Sequence, residues 1–307
     1  MNLTSASAQI LRLLPREGIT RIMGHLADVR WPRPLERAVL GAYCRAYEVS
    51  LEECESPDRW TSFDHFFTRK LRPGARPISG VAEGPSSGSP GWGGRLVVSP
   101  ADGRVESPGP VDQRSTFHVK GRPYRVEELV GDPVDARRYE GGGGCVIYLS
   151  PRDYHRVHAP VAGAITEVRS MPGDYYPVNA IGLRHVDNLF ARNRRVAIVI
   201  DTPPEQGLGR VTVVMVAAMV VGRITVTGID ARDVPYGHHL ASPGGASQVL
   251  RAPVQVAQGD EMGIFHLGST AVIFLEPRAF ERFVVVEGPV RVGEPLAEPK
   301  SLEKGSA

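Results

Sequence analysis

Lysine is scarce in this chain. Only Lys70, Lys120, Lys300 and Lys304 are lysines among the 36 basic residues, so a lysine-anchored cofactor has few places to attach. Cysteine is scarce too: Cys44, Cys54 and Cys145 are an odd number with no Cys-x-x-Cys spacing. Neither a disulfide framework nor a zinc ribbon follows from them, and a reducing compartment is the simpler expectation. Long apolar runs are missing. The longest, residues 213–221, has nine residues, against about 20 for a membrane-spanning helix. The start of the chain does not read as a signal peptide, because Arg12 and Pro15 break its apolar stretch and no small-residue cleavage site follows. Net charge is only +2 over 307 residues, which speaks against nucleic acid as a partner. The expected location is the cytoplasmic side, free or held at a surface.

What is abundant is Gly and Pro. With 34 and 26 copies they make up about a fifth of the chain, where ~12% is usual. So many breakers disfavour a helical bundle and favour short strands joined by tight turns. Val/Ile-rich candidate strands fall at 96–98, 145–149, 164–169, 196–201, 211–221, 223–229, 271–275 and 283–286. Helical patterns beyond residue 96 are few, the best around 125–130 and 186–192. The expected fold is α+β and mainly β: an antiparallel sandwich or partly closed barrel with an N-terminal helical cap.

The first fifty residues supply that cap. Ile10, Leu11 and Leu14 recur at helical spacing until Pro15; Ile19, Ile22, Met23 and Leu26 form a second set, and Leu35, Val39, Ala42, Tyr43 and Ala46 a third. Seven Arg stand against four acids here. Short basic amphipathic helices either lie in a membrane interface or bury their apolar faces on a core. The division expected is a helical region over 1–50 and a β-rich domain over 51–307. Residues 80–95, rich in Gly, Ser and Pro, read as a loop. The four glycines at 141–144 precede a strand, not a helix, so they make no phosphate cradle.

Three segments concentrate polar groups among the strands. Ser99-Pro-Ala-Asp102-Gly103 has an Asp that by itself reads as a turn residue. In Tyr148-Leu-Ser-Pro-Arg-Asp-Tyr-His155-Arg-Val-His158-Ala-Pro160, two histidines stand three apart beside Arg, Asp and Tyr. No HExxH pattern accompanies them, and no metal is expected. In Phe265-His-Leu-Gly268-Ser269-Thr270, the Gly-Ser reads either as a bend or as a nucleophile without the Gly-x-Ser-x-Gly elbow. An Asp, a His and a Ser are the parts of a triad, yet any chain this long contains all three.

Taken together, SPADG at 99–103, YLSPRDYHRVHAP at 148–160 and FHLGST at 265–270 resemble the phosphatidylserine decarboxylase proenzymes, a pyruvoyl-dependent family. FDHFFTRKLRPGARPI at 63–78, PGDYYPVN at 172–179 and NLFARNRRVAIVIDT at 188–202 agree with it, in the family's order. The resemblance runs from about residue 10 to 295. The longer loop at 80–95, the glycines at 141–144 and the short tail depart from the family without touching these motifs.

The resemblance implies a chain that cuts itself between Gly268 and Ser269 into residues 1–268 and 269–307. Ser269 would attack the Gly268 carbonyl, with His158 as base and Asp102 supporting the imidazolium. Elimination and hydrolysis would then leave a covalent pyruvoyl group at residue 269. That ketone would form a Schiff base with phosphatidylserine, release carbon dioxide and leave phosphatidylethanolamine, with His155 returning the proton. The two chains would stay together as a heterodimer, compatible with a dimer of such units. A lipid substrate favours docking of residues 1–46 at an anionic membrane surface, at roughly 1 kcal/mol per basic residue. Three alternatives stand beside this: an unprocessed serine hydrolase, a lipoyl-type carrier module, and a relative acting on a free amino acid.

Overall fold

The computed structural model describes residues 15–56, 60–80, 95–220, 223–230, 233–234, 247–248 and 252–301, with Ser247, Gln248 and Ser269 described by backbone alone. The first expected helix, around 10–14, and nearly all of the loop at 80–95 lie outside the described residues.

One antiparallel sheet of nine strands organises the molecule. From edge to edge it runs Ser247–Gln248, Gly163–Met171, Arg195–Asp201, Arg210–Val216, Ser269–Leu275, Gly143–Leu149, Gly103–Pro110 and Gly288–Val290, with Val254–Val256 also pairing on Gly163–Met171. The sheet is open, so the closed side of the barrel expectation is not realised, while the mainly β, antiparallel character is. A smaller sheet joins Arg223–Val226, Glu261–His266 and Arg156–His158.

The apolar runs have a direct reason. Successive side chains on a strand face opposite ways. Met215, Ala271, Ile273 and Leu275 enter one core, while Val214, Val216, Val272 and Phe274 enter another on the opposite face. A sheet covered on both faces needs continuous apolar strands, not alternating ones. The 211–221 expectation overshoots for that reason: the strand ends at Val216, and the apolar residues beyond it line a cavity. Glu261–His266 escaped notice because its charge and Gly263 interrupt the pattern; Gly263 is needed where a Cβ would meet Met215 and the Thr225 carbonyl.

The cap forms as two helices, Arg16–Asp28 and Arg33–Tyr47. Pro34 starts the second, and Glu48, at φ 56°, ends it in the left-handed region. A one-turn helix, Phe63–Phe67, begins at Ser62, whose hydroxyl accepts from the His65 N–H. Its Phe66 and Phe67 are buried in the same core as Val272 and Phe274. Phe274→Ala is expected to lower unfolding free energy by about 3–5 kcal/mol. Denaturant titration checks this, and a loss under ~1 kcal/mol would contradict the two-faced core.

Candidate active site

The site is built where the two sheets meet. His155 N–H belongs to the turn leaving Gly143–Leu149, and its carbonyl accepts from the Phe265 N–H at 2.9 Å. This bond ties the histidine segment to the strand that leads into Gly268. Two side chains hold the turn: Tyr43 Oη donates to the Pro151 carbonyl at 3.1 Å, and Arg69 Nη2 donates to the carbonyls of Arg152 and Asp153 at 2.7 and 3.1 Å.

Those contacts set the state of His155. Its Nδ1 lies 2.8 Å from the Asp153 carbonyl, which can only accept, so Nδ1 carries the proton. Nε2 therefore carries a lone pair. It is fully buried, has no hydrogen-bond partner among the described residues, and lies 3.6 Å from where a Cβ on Gly268 would stand. The Phe67 ring covers the imidazole, centroids 4.1 Å apart. Burial, assisted by the Arg69 charge, pushes its pKa down to about 3. The imidazole is thus neutral, with a free lone pair at Gly268. Thr270 Oγ1, on the other side of Ser269, is also buried without a partner.

The bond between Gly268 and Ser269 follows a forced backbone. Leu267 has φ 78°, the left-handed region that a Leu enters at a cost of about 1–2 kcal/mol. Its neighbour His266 is clamped: Asp64 lies 2.9 Å from His266 Nδ1, and Arg223 pairs with Asp64 at 2.6 Å and with Asp28 at 2.9 Å. Ser269 then opens the central strand, opposite Leu149. Leu267 lines two cavities. One, of about 580 Å³, is apolar and walled by Met23, Leu26, Tyr43, Phe63, Phe67 and Gly268 among others. The other, of about 270 Å³, holds Arg21, His25, Asp28, Asp64, Arg223 and His266.

Asp102 and His158 are placed differently from a simple triad. The Asp102 carboxylate accepts from Arg76 Nε at 2.9 and 3.1 Å, from Arg76 Nη2 at 2.5 Å and from the Val292 N–H at 2.8 Å. His158 Nδ1 donates to the Gly259 carbonyl at 2.7 Å, and Nε2 accepts from the Tyr154 hydroxyl at 3.1 Å. No hydrogen bond joins Asp102 to His158 among these contacts. The Asp102 charge still reaches His158, where it opposes a burial that lowers the imidazole pKa. Arg69, Arg76, Tyr154 and the Asp28–Arg223–Asp64 set were not singled out from sequence. Arg69 and Arg76 lie in the FDHFFTRKLRPGARPI stretch, a signal that was available; Asp28 and Arg223 carried none.

This geometry meets an independent finding. Residues 63–298 match the family model for phosphatidylserine decarboxylase. The chain belongs to the phosphatidylserine decarboxylase family. Relatives named phosphatidylserine decarboxylase proenzyme include one from Anaeromyxobacter sp. (strain K), 38% identical over 290 residues, covering 93% of this chain and 95% of the relative. One from Bordetella petrii is 37% identical over 292 residues, and one from Pseudomonas aeruginosa (strain LESB58) 36% over 293, each covering 94% and 95%. Family membership thus spans both the small and large sheets and every residue placed above from Phe63 onward.

The buried His155 makes a pH prediction. An unfolded histidine takes up a proton near pH 6.5, and the folded one only near 3. Between those values the unfolded chain binds more protons, so acidification favours unfolding. An uncleaved Ser269→Ala chain should lose about 2 kcal/mol more between about pH 7 and pH 5 than the same chain carrying His155→Gln. Equal losses in denaturant titrations at both pH values would mean that the imidazole is not buried neutral.

Proposed function

We propose that this chain is a self-processing, pyruvoyl-dependent phosphatidylserine decarboxylase, peripheral to the cytoplasmic face of the cell membrane. The observation that carries the reading is the apolar cavity of about 580 Å³ that ends on Gly268, roofed by Met23 and Leu26 of the Arg16–Asp28 helix. Against a serine hydrolase stands the missing Gly-x-Ser-x-Gly elbow, and a free-amino-acid decarboxylase has no use for an acyl-sized apolar chamber at Gly268. A lipid does, with its chains in that chamber and its head group toward residue 269.

In self-cleavage the Ser269 hydroxyl attacks the Gly268 carbonyl carbon, and the Gly268–Ser269 C–N bond gives way to an ester. Gly268 presents no Cβ to obstruct the approach. His158 serves as base and Asp102 as the charge supporting its protonated form. For this, His158 Nε2 exchanges its Tyr154 hydrogen bond for one to the Ser269 hydroxyl. Tyr154→Phe should therefore process at least as fast as the natural chain, and His158→Ala far more slowly. If His158→Ala matured normally while His155→Ala did not, the two histidines would exchange roles.

The residues around 269 fit a pyruvoyl group. His155 Nε2, beside Gly268, is a buried polar atom without a partner among the described residues. Once formed, the group supplies a ketone that takes up the substrate amine and draws off the electrons left by departing carbon dioxide. His155 holds the proton to be returned to the substrate α-carbon, and the Phe67 ring keeps water from that nitrogen.

Docking rests on the helical cap. Ile22 and Leu26 lie on one face of the Arg16–Asp28 helix and are 60% and 47% exposed, with Val29 just past its end at 44% and Leu35 at 52%. An enzyme whose lipid enters between these helices must meet the bilayer with them. Replacing Ile22, Val29 and Leu35 together by Ser should reduce sedimentation with phosphatidylserine vesicles several-fold while leaving self-cleavage intact. Unchanged sedimentation would assign docking to another surface.

Intact-mass analysis tests the whole reading. The natural chain should yield residues 1–268 and a 269–307 fragment blocked at its first residue, and should release carbon dioxide from phosphatidylserine vesicles but not from free serine. Ser269→Ala should remain one chain and be inactive. A single unbroken chain with full activity would overturn the proposal.

A further inference from the structure

Self-cleavage leaves two products at residue 268, a new chain end and a new charge. Attack by Ser269 frees the amide nitrogen and makes an ester at Oγ. Elimination then takes the Cα proton of residue 269 and breaks its Cβ–Oγ bond, so Gly268 departs as a carboxylate and residue 269 becomes dehydroalanine. Water hydrolyses the dehydroalanine to the ketone and ammonia. The ammonia takes up the Cα proton and leaves as ammonium, and one carboxylate stays behind within a few ångström of His155.

The surroundings decide whether His155 is protonated. His155 Nε2 is the buried base at Gly268, 3.6 Å from the glycine's Cβ position, with no other partner. Before cleavage a proton there would make an isolated buried cation, which burial and the Arg69 charge both oppose. After cleavage the balance reverses. A bare carboxylate at Gly268 would itself be an isolated buried anion, flanked by the Phe67 ring and the apolar cavity. A proton on Nε2 turns two unfavourable lone charges into one pair. Asp153 accepts from the Ser150 N–H and Asp64 is held by Arg223 and His266, while Arg69 spends Nη2 on the Arg152 and Asp153 carbonyls and is a rival cation for the carboxylate.

Resting on the self-cleavage reading above, we propose that the Gly268 carboxylate holds on His155 a proton taken up from solvent, so that cleavage itself converts a neutral imidazole into the proton donor of the decarboxylation. The cut then arms the site twice, making the ketone at residue 269 and loading the acid beside it. It also accounts for a buried imidazole nitrogen that has no partner among the described residues of the uncut chain.

Nitrogen NMR of ring-labelled histidine tests this without measuring turnover. The His155 signal is assigned by its disappearance in His155→Gln and compared at neutral pH in processed natural enzyme and in uncleaved Ser269→Ala. Ser269→Gly is a second uncleaved comparator should the first fold poorly. The expected result is an Nε2 without a proton in the uncleaved chains and with one in the processed enzyme, its pKa at least two units higher. Processed enzyme, verified by mass as 1–268 plus 269–307, whose His155 Nε2 remains unprotonated would overturn the inference alone. That outcome includes a carboxylate captured instead by Arg69, whose Nε and Nη1 are buried and without partners. A natural chain that never cleaves would overturn the underlying reading instead.

Discussion

Thr270 is paired on both sides, opposite Tyr148 on one neighbouring strand and Val216 on the other. The strand it belongs to lies mid-sheet with both faces buried, so a slip by one residue would exchange its two sets of side chains between two packed cores. That register cannot drift, and it fixes where Ser269 begins. Everything chemical in the molecule is set against this fixed point. The incoming strand is tied to His155 through Phe265, and His266 is clamped by Asp64. The only freedom left between clamp and sheet is Leu267 and Gly268, and Leu267 is bent into an unfavourable conformation. Under the proposed self-cleavage, a bond held between two such fixed elements needs little reorganisation to be attacked.

The second constraint is dryness. Phe67 covers His155, and the apolar cavity closes off Gly268 on its other side. In water a histidine at this position would be partly protonated and indifferent to its neighbours. Buried, its protonation follows whichever charge stands beside it. The apolar walls proposed to take a lipid's chains therefore also govern the acid–base behaviour of the site. The helical cap contributes to both, since Met23 and Leu26 line the cavity while Asp28 reaches Arg223 beneath it.

Much of this was legible from the residues. The central strands announced themselves as Val/Ile runs, because a sheet covered on two faces leaves no room for polar alternation. The helices at Arg16–Asp28 and Arg33–Tyr47 followed from apolar spacing. What was hidden was hidden for physical reasons. Glu261–His266 and Arg156–His158 are short, charged strands whose pairing is decided by tertiary contacts. His155 and His158 were visible as a pair, but not their separate surroundings, since strand residues three apart face opposite ways. Asp102 was visible too, yet its partner Arg76 comes from 26 positions away, and spacing cannot show which cation a buried carboxylate will meet. The Asp28–Arg223–Asp64–His266 clamp draws on four separate segments and left no local trace.

The central claim is that residue 269, held at the start of the central strand, becomes the reactive carbonyl of the mature enzyme. Reducing the mature enzyme with cyanoborohydride in the presence of phosphatidylserine, followed by tandem mass spectrometry, tests it most directly. The account predicts a stable amine adduct on the first residue of the 269–307 fragment and nowhere else. An adduct on another residue, or an active enzyme that takes up no adduct, would contradict it.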